Sequence, residues 1–209
     1  PNPLPRDTRN DAVEFTFDGQ QRTITAWQTD SDATGLIVLH NGVVVHEEYP
    51  LGSTPQTRHT SWSVGKSFVA TLIAMAMQDG HIASLDQTAE MFAPQYAGTD
   101  FGQTTLRHLL MMSAGVDFEE DYNAPGSDIR RLFLGANIYG QNIDRLVGEI
   151  ERDRPAGQDL HYVSANTQVL SAVIRGIYNA PLAQVVETRI WRPLGMVGDA
   201  SWNQNIQGD

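Results

Sequence analysis

The sequence predicts an α+β fold: an antiparallel sheet flanked by helices, together with a largely helical region. Two observations carry this. The first 60 residues hold two tight-turn dipeptides, Asp18-Gly19 and Asn41-Gly42, each between short alternating apolar segments. From Ser63 onward the apolar spacing becomes helical, and no strong strand pattern returns.

The elements follow in order. Residues 1–12 open with PNPLPRDTRN, proline-rich and polar, and read as an extended arm. Residues 13–62 supply the N-terminal strands of an α/β lobe. VEFTFDGQQRTITAW reads as two strands running through Trp27, and GLIVLHNGVVVHEEY repeats the plan. Asp-Gly and Asn-Gly favour the positive φ angles of hairpin turns, and Leu36, Val38, Val43 and Val45 suit half-buried strands. Residues 63–80 read as a helix, apolar on nearly all sides beyond Phe68 and therefore buried, with Asp79-Gly80 closing it.

Residues 81–160 form a mainly helical lobe. Ser84 and Gln87 have capping-box spacing for a short helix, and TTLRHLLMMSAG predicts another from Thr104 to Gly115. The polar loop VDFEEDYNAPGSD then separates it from IRRLFLG and NIDRLVGEIER. Residues 161–209 return to the α/β lobe, with one helix from about Asn166 to Tyr178 and a last one over LAQVVETRIW. Two hairpins under a helix leave strand edges and one sheet face uncovered. The sheet is therefore expected to be incomplete at the C-terminus of these 209 residues.

Composition narrows the function classes. A chain with 41% hydrophobic and 19% charged residues can bury a core. A net charge of -11 and a pI near 4.8 argue against nucleic acid as a partner, which requires basic stripes. The absence of cysteine excludes disulfides, thiol catalysis and Cys-based zinc sites. The six histidines make no recognisable metal-ligand spacing, so neither a metal nor a cofactor is expected. No apolar run is long enough for a membrane span, and the compartment stays open.

The chemistry concentrates at SWSVGKS, Ser61 to Ser67. Of 14 cationic side chains only Lys66 is a lysine. Arginine does not give up its proton, whereas a desolvated lysine can serve as a base. Ser63 lies three residues earlier, on the same helical face and at the positive end of the helix dipole, as an activated nucleophile requires. Read as a phosphate loop, GKS lacks the first glycine of that motif, since Thr60 occupies its place. HYVSAN brings a second candidate, Tyr162, a phenol that can exchange a proton with a lysine, with Ser164 beside it. The loop around Tyr122 carries Glu119, Glu120, Asp121 and Asp128, either a solvated acidic loop or a lip that attracts a cationic substrate.

These segments together resemble the serine β-lactamase and penicillin-binding-protein superfamily. The resemblance is to its class C branch, which includes esterases and 6-aminohexanoate-dimer hydrolases. WSVGKSF resembles the S-x-x-K motif, RPAGQDLHYVSANTQVLS the proline-glycine turn with Y-x-N or Y-x-S, and LRHLLMMSAGVDF and RIWRPLGM two further segments in the same order. It implies a β-lactamase/transpeptidase-like fold and a serine hydrolase that forms an acyl-enzyme on an ester or amide. Ser63 would be the nucleophile, Lys66 its partner and Tyr162 the base, with Tyr122 and Ser164 on the substrate. Ser164 in place of Asn favours an esterase or 6-aminohexanoate-oligomer hydrolase over a true β-lactamase. The third motif and the last strands of the sheet have no counterpart before Asp209, so a C-terminal segment or second chain is expected to complete the sheet. A different class, a catalytically silent penicillin-binding-like ligand-binding or interaction module, is the alternative.

Overall fold

The computed structural model describes residues 1–8 and 13–205, so positions 9–12 of the expected arm lie outside the described residues. The chain divides into two compact units, one of Pro1–Thr60 with Leu194–Ala200, the other of Ser61–Pro193 with the chain from Ser201 onward.

The first unit is built from two hairpins. Strands β1 (Glu14–Phe17) and β2 (Gln20–Thr23) pair antiparallel across Asp18-Gly19, both of which adopt positive φ. Strands β3 (Leu36–His40) and β4 (Val43–Glu48) pair likewise across Asn41-Gly42. The hairpins form two separate two-stranded sheets rather than one. What intervenes is helix α1 (Ile24–Asp30), where strand continuation through Trp27 was expected. The Thr23 side chain accepts the Ala26 N–H at 3.1 Å, an N-cap that outweighs the β-branched character of Thr23-Ile24-Thr25. In the second hairpin the register shifts between Val38 and Leu39, and Val44 becomes the buried residue in place of the expected alternation. The arm runs beside β4: Pro5 O accepts the Val44 N–H at 2.8 Å, and Arg6 pairs with Glu47.

The second unit is helical, with α2 (Gly65–Gln78) and α6 (Ala165–Tyr178) at its core. Val69, Leu72, Ile73 and Ala76 of α2 and Val169, Leu170, Val173 and Ile174 of α6 are all buried in one cluster. Truncating any one of the larger side chains to Ala costs about 2–5 kcal/mol. The expected all-round burial of α2 is not found, because Ala70, Thr71 and Ala74 are exposed. Its C-terminus is a Schellman motif: the N–H of His81 reaches Ala76 O at 2.9 Å and that of Gly80 reaches Met77 O at 3.0 Å. Gln87 Oε1 accepts the Ser84 N–H at 3.1 Å, the back half of the expected capping box, yet the segment closes as a turn and no helix follows directly.

The remaining helices are α3 (Leu106–Leu110), α4 (Asp128–Asn137), α5 (Ile143–Gly148) and α7 (Leu182–Val186), the last continuing into a π turn over Glu187–Trp191. Helix α3 ends well before Gly115. Met112 takes φ of 52°, which frees the carbonyls that follow for a long-range partner described below. Among the described residues no single helix is long and apolar enough to cross a membrane; α6 with Leu182–Trp191 meets that measure only as a pair bent by 73°.

A buried carboxylate ties these helices together. Asp144 of α5 accepts from Tyr96 OH (2.8 Å), Gln95 Nε2 (3.1 Å), Gln168 Nε2 (3.0 Å) and Arg175 Nη2 (2.7 Å). Burial alone would raise its pKa, but Gln168, the Arg175 charge, Gln95 and Tyr96 together hold it below the ordinary carboxylate range. Burial beside this anion pushes the Tyr96 phenol far up, so it stays a donor. Because the folded pKa is depressed, this stabilisation is complete above the unfolded value near ~3.9 and is lost as pH falls through the folded one. Asp144→Asn should therefore cost about 3–5 kcal/mol at neutral pH. In urea titrations repeated from pH 7 to pH 3, the variant should lose less stability on acidification than the parent chain.

Candidate active site

Ser63 lies in a single 3-10 turn, Trp62–Val64, that leads directly into α2. Trp62 before it has φ of 46°, a left-handed conformation uncommon for a bulky residue, and the residue is 76% exposed. One helical turn on, Lys66 Nζ donates to Ser63 Oγ at 3.1 Å. Tyr162, 99 residues later, donates its phenol O–H to the same oxygen at 2.9 Å. Lys66 Nζ also lies 5.3 Å from the centroid of the Tyr162 ring. The serine oxygen thus accepts from both groups.

Tyr162 owes its place to a backbone ladder between two irregular segments. Met112 O accepts the His161 N–H at 2.7 Å, Ser113 O that of Gly157 at 2.8 Å, and Gly115 O those of Asp153 and Arg154, both at 3.1 Å. Arg152 clamps the far end, donating to Asp100 O at 2.8 Å and to Thr104 Oγ1 at 2.7 Å. Two glycines permit this approach. A Cβ on Gly115, at φ of 73°, would lie 2.3 Å from Arg154 O, and one on Gly157, at φ of 86°, would lie 2.5 Å from His108 Nε2. The histidine that follows, His161, turns its ring toward Arg154, at 3.5 Å from Nδ1.

The other two sequence-predicted residues meet at a third. Ser164 precedes α6 and donates its backbone N–H to Glu120 Oε2 at 2.8 Å and its hydroxyl to Glu120 Oε1. Tyr122 donates its phenol to Glu120 Oε1 at 2.9 Å. Burial and then the Glu120 hydrogen bond raise the Tyr122 pKa, and the hydrogen bond with Ser164 opposes them. Sequence reading placed Glu120 among the loop acids without singling it out. The signal lay at Ser164, a short hydroxyl that needs an outside acceptor. Beside the site, a cavity of about 340 Å³ is lined by Trp62, Lys66 and Ser164 and walled by Ile129, Leu132 and Phe133.

Comparisons with known proteins identify the family. The family model described as Beta-lactamase matches residues 21–207. The chain belongs to that family. This beta-lactamase family chain is 27% identical over 180 residues to the 6-aminohexanoate-dimer hydrolase of Paenarthrobacter ureafaciens, covering 83% of the chain and 45% of the relative. It superposes on a provisionally assigned 6-aminohexanoate-dimer hydrolase from Bacillus anthracis with a TM-score of 0.80 at 24% identity, covering 91% of the chain and 52% of that structure. A class C beta-lactamase from Rhodobacter sphaeroides gives 0.56 at 23% identity, covering 82% and 47%. The chain therefore has the β-lactamase/transpeptidase-like fold and spans about half the length of these relatives.

Gly115→Ala should weaken the ladder that carries Tyr162, since both its φ and the Arg154 carbonyl resist a side chain. The expected cost is about 1–3 kcal/mol, measurable by chemical denaturation, with faster amide exchange at Asp153 and Arg154.

Proposed function

We propose that this chain carries the nucleophile of a serine hydrolase that works through an acyl-enzyme on an ester or amide carbonyl. The observation that carries the reading is the pair of hydrogen bonds converging on Ser63 Oγ from Lys66 Nζ and Tyr162 OH. In this reading the Lys66–Tyr162 pair has first lost one proton to solvent; Ser63 Oγ then attacks the carbonyl carbon and its proton passes to that pair. The tetrahedral adduct collapses, the C–O or C–N bond breaks, and Tyr162 returns the proton to the leaving alcohol or amine. Water then attacks the acyl-enzyme and gives a proton to the same pair; the Ser63 Oγ–C bond breaks, Oγ takes that proton back and the acid leaves. The helix-dipole end at Ser63 favours the negative charge that develops beside it.

The substrate class follows from the same site and from the relatives. An esterase or 6-aminohexanoate-oligomer hydrolase activity fits better than a β-lactamase activity, given Ser164 and the 6-aminohexanoate-dimer hydrolase at 27% identity. Apolar Ile129, Leu132 and Phe133 beside Lys66 and Ser164 suit an aliphatic chain. The loop acids contribute less than their number suggests: Asp128 is engaged by Arg131 and by the Glu119 N–H, and Asp121 by the Asn123 N–H.

The test uses the full-length protein with a fluorophosphonate probe and a chromogenic short-chain ester. Labelling should map to Ser63 by mass spectrometry and vanish in Ser63→Ala; labelling that persists in that variant removes Ser63 from the mechanism. Tyr162→Phe should slow acylation by about 100-fold or more if its hydroxyl relays the proton.

A further inference from the structure

The cavity of about 340 Å³ beside the site is a groove between α4 and α6. On α4 it is lined by Ile129, Leu132, Phe133, Ala136 and Asn137, the spacing of a single helical face. Opposite stand Ser164 at the N-cap of α6, then Gln168, Ser171 and Arg175, again one face. Both helices begin on the side of the nucleophile. Ser164 is two residues from Tyr162, and Glu120 accepts its N–H at 2.8 Å, while the neighbouring Glu119 O accepts the Ile129 N–H at 3.2 Å. Their far ends meet the start of α5: the Gln141 N–H returns to Gly135 O at 2.8 Å, and Gln168 and Arg175 donate to Asp144. The groove therefore leads away from Ser63 for about 12 Å along α4 and about 16 Å along α6. Some 10 Å in, by the same rise of about 1.5 Å per residue, Ala136 and Ser171 stand at one level, each seven residues on from Ile129 and Ser164. Both are small and buried, and the Ser171 hydroxyl turns back to Thr167 O at 2.8 Å. With the Gln168 and Arg175 donors also engaged by Asp144, an apolar ligand strips none of these contacts.

We propose that this groove holds the acyl half of the substrate as an extended aliphatic chain, and that Ala136 sets the chain length the site accepts. The proposal rests on Ser63 being the nucleophile. Tyr162, which returns the proton to the leaving group in that reading, is not among the described residues that line the groove, whereas Lys66 is. The leaving group therefore lies outside and the acyl part within. An extended chain advances about 1.2 Å per bond, so an acyl chain of about ten to twelve carbons ends between the levels of Ala136 and Arg175. Each methylene up to that point leaves water for the apolar walls at Ile129, Leu132 and Phe133 and beyond. A longer chain presses its end against the Asp144–Arg175 pair, where disturbing a buried charge costs more than one further methylene returns.

The test uses the full-length protein and p-nitrophenyl esters of unbranched acids from acetyl to palmitoyl, with one leaving group throughout. kcat/KM should rise by about threefold per methylene, peak near about ten to twelve carbons and then fall. Ala136→Leu sets a branched side chain across the groove, so the peak should move to shorter chains and the decanoyl-to-butanoyl ratio of kcat/KM should drop by about tenfold or more. A flat profile overturns the proposal, as does a peak that Ala136→Leu leaves in place. Where Ala136→Leu fails to fold, Phe133→Ala changes a residue that is 57% exposed and removes a wall that decanoyl reaches and butanoyl does not. The same ratio should fall there too, and an unchanged ratio overturns the proposal. A second readout needs no turnover: calorimetric binding of the free unbranched carboxylates to full-length Ser63→Ala, with and without Ala136→Leu, should show the same peak and the same shift. If the parent turns over no ester and Ser63 takes no label, the hydrolase reading falls, and carboxylate binding alone judges the groove. Binding that peaks with length and shifts with Ala136→Leu then upholds it, and binding that ignores length, or no binding, overturns it.

Discussion

The helical unit depends on one buried charge. Asp144 sits on α5 but draws its four donors from the 3-10 turn at Gln95 and Tyr96 and from two levels of α6, Gln168 and Arg175. An unpaired carboxylate there would cost several kcal/mol, and the one opposite charge, Arg175, together with three neutral donors offsets that cost. The apolar cluster around α2 and α6 supplies most of the stabilisation but little direction, since burial is indifferent to which Leu meets which Val. Asp144 supplies direction. Gln168 and Arg175 lie seven residues apart, about two turns, so both reach a single carboxylate only at one rotation of α6 about its axis.

That rotation matters because α6 begins at the site. Ser164 is its N-cap position, and Tyr162 is two residues further back. The orientation fixed by Asp144 at the middle of the helix is transmitted to its start by the helix itself, which is stiff over this length. The ladder through Gly115 and Gly157 fixes the chain just before Tyr162 independently. Tyr162 is thus positioned from both sides, by a polar contact below and a backbone contact above, and both lie outside the chemistry. Lys66 and Tyr162, the two groups hydrogen-bonded to Ser63 Oγ, both belong to the one helical unit.

Local patterns made much of this legible. The two hairpin turns, the span of α6 and the closing Gly80 of α2 were readable because each is written within a few residues. Ser63 and Lys66 were readable for the same reason, being one helical turn apart. Errors arose where a tertiary or competing local contact decided the outcome. Ile24 to Asp30 looks like a strand by its β-branched start, but Thr23 caps a helix there. Helix α2 looked buried all round because Ala70 and Ala74 are apolar, yet they are small and are left exposed. Glu120 was invisible as a site residue, since nothing within its loop reveals that Ser164, 44 residues on, will lie against it.

The two hydrogen bonds on Ser63 differ in how much chain they need. The contact with Lys66 closes over three residues and exists as soon as the first turn of α2 forms. That with Tyr162 closes over 99 residues, and the entropy of bringing such distant points together is recovered only when the intervening helices have docked. A nascent chain that has reached α5 already carries the serine and its amine but not the phenol. Assembly of the site is therefore gated by completion of the fold: the serine meets its second partner only after the structure that confines it is in place.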